Sequence, residues 1–114
     1  MKHYEDKGNR KQVWEQHFDF KESGGYYLKI KYGPKNWFWK ILHSLGLIHT
    51  QGPIAEIEQE PMNWEYIDVN FTKSNLKASG IFLTREGVKM FRMTIPNETV
   101  EKYDVNISFE RLYS

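Results

Sequence analysis

The order of apolar and polar residues predicts one helix, which lies within residues 33–52. Five apolar side chains of this stretch fall on a single stripe at helical spacing: Trp37, Phe38, Ile41, Leu42 and Leu45. Pro34 suits the first helical turn, and Gly46 suits a left-handed C-terminal cap. A helix of roughly three turns is not stable alone in water, so we expect it to bury the stripe on a sheet as the largest single contribution to the core. Trp39 falls off the stripe, beside His43, and is predicted to lie at its flank.

Most of the remaining chain alternates apolar and polar residues with the period of two that half-buried strands show. Seven segments follow this pattern: residues 13–20, 26–32, 54–60, 64–71, 80–84, 88–95 and 103–110. Gly24-Gly25 and Arg85-Glu86-Gly87 predict tight turns, so the strands beside them are expected to pair as antiparallel hairpins. The short links after the helix also favour antiparallel neighbours.

These elements predict an α+β domain that is mainly β, in the order ββαβββββ. About seven antiparallel strands would form one curved sheet or a two-layer sandwich closed by the helix. A chain of 114 residues is long enough for one domain with a real core. Residues 1–11 are polar and carry both signs of charge, which predicts a flexible arm ahead of a single globular domain over residues 12–114.

The residue types present exclude several kinds of chemistry. The chain has no cysteine, so a disulfide, a zinc–thiolate site and a thiol nucleophile are all excluded. No phosphate-binding loop or catalytic signature is present, and the histidines lack the spacing of metal ligands: His3, His17, His43 and His49. We therefore expect a protein that is not an enzyme, with no catalytic residues, no metal and no cofactor.

Two features of the apolar pattern bear on where the protein acts. The first ten residues contain no apolar run, so the sequence predicts no secretory leader. Its longest apolar window falls short of the roughly 20 residues that span a bilayer. We therefore expect a cytoplasmic protein without a membrane partner.

The net charge is only +1, but its distribution along the chain is uneven. Residues 1–49 carry nine Lys or Arg and five Asp or Glu, and residues 73–114 carry seven and five. Residues 50–72 carry no Lys or Arg and five acids, for a charge of −5. An acidic block inside an otherwise basic chain is the clearest anomaly in the charge pattern.

The acidic block supplies the candidate binding site, which we place at residues 54–71. Glu56, Glu58 and Glu60 alternate along one strand, and like charges on one face must meet solvent or positive charge. Trp64 and Tyr66 are residue types typical of binding hot spots. The pattern favours a small inhibitor of the toxin–immunity kind, which covers the basic active site of a toxin or nuclease. Seven side chains are predicted to bind the partner: Glu56, Glu58, Glu60, Trp64, Glu65, Tyr66 and Asp68.

Three other interpretations stay open. An edge strand with a solvated, charged face that prevents aggregation has the same pattern, and it is the commoner case. A curved sheet under a helix can enclose a pocket for a small apolar ligand. Tyr27, Lys29 and Lys31, together with the basic arm, could bind single-stranded nucleic acid, although the overall charge makes nucleic acid an unlikely partner.

Overall fold

The computed structural model describes residues 2–113, which form two antiparallel sheets and two short helices. The N-terminal half contains β1 (Lys2–Asp6), β2 (Lys11–Phe20), β3 (Gly24–Pro34), α1 (Trp37–Ser44), β4 (Ile54–Glu60) and β5 (Asn63–Ile67). The C-terminal half contains β6 (Asn70–Thr72), β7 (Lys77–Thr84), β8 (Gly87–Pro96), α2 (Asn97–Lys102) and β9 (Tyr103–Tyr113). The predicted fold class, mainly β with antiparallel strands, is confirmed. Among the described residues there are nine strands rather than seven.

The strands are divided between a five-stranded sheet, in the order β1-β2-β8-β4-β5, and a four-stranded sheet, in the order β6-β7-β3-β9. Both predicted hairpins are therefore wrong, because β2 and β3 lie in different sheets, as do β7 and β8. Gly24 (φ 148°) and Gly87 (φ 123°) have the positive φ expected at their turns. Those turns instead carry the chain from one sheet to the other. The residue pattern could not show this, because alternation specifies which face of a strand is buried and not which strand lies beside it.

Residues 64–71 form two strands, and the structure gives the reason. The chain leaves the five-stranded sheet after Ile67 and enters the four-stranded sheet at Asn70. The crossing segment lies against Gly80, where an added Cβ would stand 2.5 Å from the carbonyl oxygen of Asp68. Glycine at this position lets the two backbones approach each other.

The predicted N-terminal arm also has a different conformation. Lys2–Asp6 is the edge strand β1, paired with β2 from Lys2 opposite Glu15 to Asp6 opposite Lys11. Met1 and Ser114, at the outer ends of the two predicted regions, lie outside the described residues. Helix α2 was not predicted, since its six residues are too few to show a helical period.

An aromatic cluster joins the two sheets. The ring centroid of Phe109 on β9 lies 4.6 Å from Phe18, 5.3 Å from Phe91 and 5.8 Å from Phe82. Phe18 and Phe91 belong to the five-stranded sheet, whereas Phe82 and Phe109 belong to the four-stranded sheet. Aromatic rings in edge-to-face contact thus fill the space that the helix was predicted to fill.

Helix α1 does not close the core, so the predicted burial of its apolar stripe is wrong. None of its residues is buried, and Trp37 is 73% exposed and Phe38 49% exposed. The half-buried side chains are instead Trp39, Leu42 and His43. The Tyr103 hydroxyl lies 3.3 Å from Nδ1 of His43, so the helix contacts the rest of the protein through a polar and aromatic side.

The C-terminal end of α1 is close to that predicted, but its N-terminal end is not. Pro34, predicted in the first helical turn, is the last residue of β3 and lies opposite Tyr103, and α1 begins at Trp37. The Asn36 side chain accepts a hydrogen bond from the Trp39 N–H at 3.1 Å, which caps the first turn. Gly46 has φ 72°, which confirms the left-handed cap. The N–H of Leu47 then donates to the Leu42 carbonyl at 2.9 Å, so the chain beyond the cap folds back on the helix.

Two buried tyrosines give the fold a predictable response to alkali. Burial raises the pKa of both Tyr32 and Tyr103 above the ordinary value of 10.0. The folded protein keeps these protons at a pH where the unfolded chain loses them, so stability present below about pH 10 is lost as the pH rises above it. We expect the urea midpoint to fall between about pH 8 and about pH 11. Tyr32→Phe should reduce that fall, whereas Tyr66→Phe, at an exposed position, should leave it unchanged.

Candidate protein-binding face

The five-stranded sheet presents acidic and aromatic side chains together on the side away from the core. Glu56 lies opposite Tyr66, and Glu58 lies opposite Trp64, across the β4–β5 pair. Directly opposite residues of antiparallel strands project to the same side of the sheet. We call these four residues the outer β4–β5 face. The structure thus brings together four of the seven predicted side chains.

Arg92 of β8 lies beside the outer β4–β5 face, on the side toward the middle of the sheet. It lies opposite Glu56 on one side and opposite Glu15 of β2 on the other. Its Nε donates to Oε1 of Glu15 at 3.3 Å, and its guanidinium carbon lies 3.9 Å from the centre of the Trp64 ring. The arginine therefore holds the indole in place by a cation–π contact and offsets part of the negative charge.

The two glutamates of the face have different surroundings. Oε2 of Glu58 accepts a hydrogen bond from the N–H of Met62 at 3.3 Å, so this side chain also supports the β4–β5 turn. Glu56 is half-buried and lies opposite Arg92. Tyr66 stands 77% exposed at the sheet edge. Tyr66 is thus the member of the face most accessible to a partner.

The other three predicted residues lie elsewhere. A bulge between Glu58 and Glu60 puts Glu60 opposite Asn63, and Glu65 lies opposite the buried Ile57. Both glutamates therefore project to the side away from Trp64 and line a separate cleft of about 850 Å³ that also contains Arg85 and Lys89. Asp68 follows β5 in the segment that crosses to the other sheet. The expectation that Glu56, Glu58 and Glu60 share one face is therefore wrong for Glu60, because the bulge turns it to the opposite side of the sheet.

Glu15 and Arg92 were missed by the sequence interpretation. They are 77 residues apart in sequence and meet only because β2 and β8 are neighbours. The alternation of β8 does place Arg92 on the side away from the buried Phe91 and Met93. That pattern identifies an outward-facing arginine, but it carries no sign of which strands flank it.

A second surface lies on the outer side of the four-stranded sheet. Lys29 and Lys31 face Ser79 and Lys77 of β7, and together with Tyr27 they line a polar cleft of about 700 Å³. The basic residues of the predicted arm belong to the other sheet, so the expected nucleic-acid surface is not assembled from both parts.

An apolar cleft exists, but it is not beneath α1. A space of about 500 Å³ lies between the sheets near α2, and its apolar walls are Trp14, Met93, Val100, Tyr103, Val105 and Ile107. The buried indole N–H of Trp14 has no hydrogen-bond partner among residues 2–113. No residue of α1 lines this cleft.

Within the described part of the chain, no group of three His, Asp or Glu side chains stands close enough together to hold a metal ion. Neither of its helices has the length and apolar character needed to cross a membrane. Comparisons of the chain with protein-family models, with curated proteins and with solved structures give no match.

Proposed function

We propose that this protein is a non-enzymatic binding module whose outer β4–β5 face docks on a basic protein. The observation that carries the proposal is the cross-strand pairing of Glu56 with Tyr66 and of Glu58 with Trp64 on the side of the sheet away from the core. Aromatic anchors beside carboxylates are suited to a partner rich in Lys and Arg, since the rings supply contact area and the charges select the partner.

Arg92 supports this proposal through preorganisation. Its contact with the Trp64 ring, at 3.9 Å, immobilises an aromatic side chain before any partner arrives. A side chain that is already ordered loses less conformational entropy on binding. Trp64 is therefore a ready anchor, with Tyr66 beside it at the sheet edge.

Within this class, we propose an inhibitor that covers the active site of a basic-surfaced toxin or nuclease. A nuclease cleft is basic because it binds phosphates, and an acidic face competes for the same charges. Such a complex would form rapidly at low salt and more slowly as salt screens the attraction. The role needs no catalytic residue, metal or cofactor on the inhibitor.

Charge reversal on one face tests the proposal. Glu56→Lys combined with Glu58→Lys should lower the association rate with the captured partner by about tenfold or more at low salt. The partner is first captured from an extract of the native host on the immobilised protein at low salt and eluted with salt. It is then purified, and its binding kinetics are measured by surface plasmon resonance.

The chain offers a matched control on the same two strands. Glu60→Lys combined with Glu65→Lys makes the same charge change, but on the opposite side of the sheet. This control should retain binding, and circular dichroism should show both double variants folded. Equal loss in the two variants would assign the effect to net charge alone, and unchanged binding in both would remove the outer β4–β5 face from the mechanism.

A further inference from the structure

Helix α1 and the turn after it present a continuous run of apolar side chains to solvent. Trp37, Phe38 and Ile41 are exposed on the helix, and Leu45 and Leu47 are exposed at its C-terminal cap. The hydrogen bond from the Leu47 N–H to the Leu42 carbonyl keeps the cap folded against the helix. A clustered apolar surface of this kind marks an interaction site.

The charges around this surface are positive. Lys35 and Lys40, which lie before and after Trp37 in the sequence, are both exposed, and Nζ of Lys102 lies 5.7 Å from the centre of the Trp39 ring. The chain contains no Asp or Glu between Glu22 and Glu56. Lys35 lines the apolar cleft near α2. Among the described residues that line this cleft, Asp104 is the one acidic residue. The apolar run is therefore bordered mainly by cations.

We propose that α1 and its C-terminal turn dock on the surface of an anionic lipid bilayer, with the helix lying in the plane of the interface. Trp and Phe favour the boundary between headgroups and acyl chains, and aliphatic side chains enter the apolar layer beside them. Lys35 and Lys40 would then meet lipid phosphates. This docking needs no membrane-spanning helix, but it departs from the expectation, drawn from the sequence, that the protein has no membrane partner.

A second copy of the chain is the main competing occupant, and the charges disfavour it. A symmetric dimer through α1 would use the same surface on both copies, so each copy would bring Lys35 and Lys40 to the contact and no acidic residue of residues 23–55 would face them. Like charges brought together at an apolar contact oppose association. An anionic bilayer satisfies the apolar side chains and the lysines at once. The surface is separate from the outer β4–β5 face and does not depend on its function.

Vesicle sedimentation of the whole chain tests the proposal. We expect at least about tenfold tighter binding to vesicles of phosphatidylcholine and phosphatidylglycerol in equal parts than to vesicles of phosphatidylcholine alone. Trp37→Ser combined with Leu45→Ser should reduce binding to the anionic vesicles by about tenfold or more. The thermal midpoint of this variant should stay unchanged, because both side chains are exposed.

Two control variants distinguish binding through this surface from nonspecific binding to vesicles. Ile81→Ser combined with Leu83→Ser removes two comparably exposed apolar residues from β7 and should leave vesicle binding intact. Lys35→Gln combined with Lys40→Gln should abolish the preference for anionic vesicles. The matched control is Lys21→Gln combined with Arg85→Gln, which removes two positive charges near the end of β3 that is opposite to Lys35. This variant should retain the preference for anionic vesicles.

Three results would overturn the proposal. The first is binding to anionic vesicles that persists after Trp37→Ser and Leu45→Ser. The second is equal affinity for anionic and neutral vesicles. The third is sedimentation equilibrium that shows a dimer which those same two substitutions dissociate, since α1 would then be covered by a second copy of the chain.

Discussion

Replacing Phe91 by alanine is expected to lower the free energy of unfolding by about 3–5 kcal/mol. The Phe91 side chain is buried on the inner side of β8, and its ring lies 5.3 Å from Phe109 and 6.0 Å from Phe18. Removing it would leave a cavity between the two sheets and break the edge-to-face contacts across them. Urea unfolding followed by circular dichroism measures the change.

Phe38→Ala on α1 is the matched control, because it deletes the same ring from an exposed position. Its effect should stay within about 0.5 kcal/mol. The apolar pattern of the sequence assigns Phe38 to the core, whereas the structure assigns Phe91 to it. Comparing the stabilities of the two variants therefore decides between these assignments. Comparable losses in the two variants would mean that α1 packs on the core after all.

Gly80→Ala is expected to cost about 1–3 kcal/mol, although it adds a single methyl group. That methyl would stand 2.5 Å from the Asp68 carbonyl oxygen and 3.1 Å from Cγ1 of Val69. The clashing oxygen is backbone, so no change of side-chain rotamer relieves the contact. The crossing segment between β5 and β6 would have to move, and amide hydrogen exchange should increase there.

Gly33→Ala makes the same chemical change where an added Cβ meets nothing within 4 Å. It should leave the stability unchanged or raise it by up to about 1 kcal/mol, because alanine restricts the unfolded chain. If Gly80→Ala were as harmless as Gly33→Ala, the close approach of β7 to the crossing segment would be wrong.

The sequence predicted the buried faces of strands better than the partners of strands. In β3, Tyr26, Leu28, Ile30 and Tyr32 are all buried as the alternation predicts. The pairing of β2 with β8 was not predictable, because alternation is a local pattern and this contact joins distant parts of the chain. The same limit explains why two turns that look like hairpins connect different sheets.

The helix shows a second limit of sequence patterns. Its existence and its cap at Gly46 followed from local signals, but the helix is shorter than predicted, because Pro34 belongs to β3 and the helix begins only at Trp37. Its orientation did not follow from local signals, because the contact between His43 and Tyr103 spans 60 residues. In α1 the half-buried residues are Trp39, Leu42 and His43, and most of the apolar stripe is exposed.

The candidate site depends both on local residue patterns and on contacts between distant parts of the chain. Alternation placed Glu56 and Glu58 on one face, and the structure agrees. The bulge that turns Glu60 away leaves no local signal in the residues, and Arg92 reaches the face from another part of the chain. A binding surface made from several strands can therefore be only partly described before the register is known.

The central place of β8 has a consequence for biosynthesis. This strand joins the β1–β2 pair to the β4–β5 pair, and the ribosome delivers it after both. Until β8 emerges, nascent β4 has an unpaired edge and an uncovered apolar side, which is when strands are prone to pair with other chains. Glu56 and Glu58 would then act as gatekeepers that repel such pairing during synthesis. The same carboxylates would thus protect the growing chain before they meet any partner.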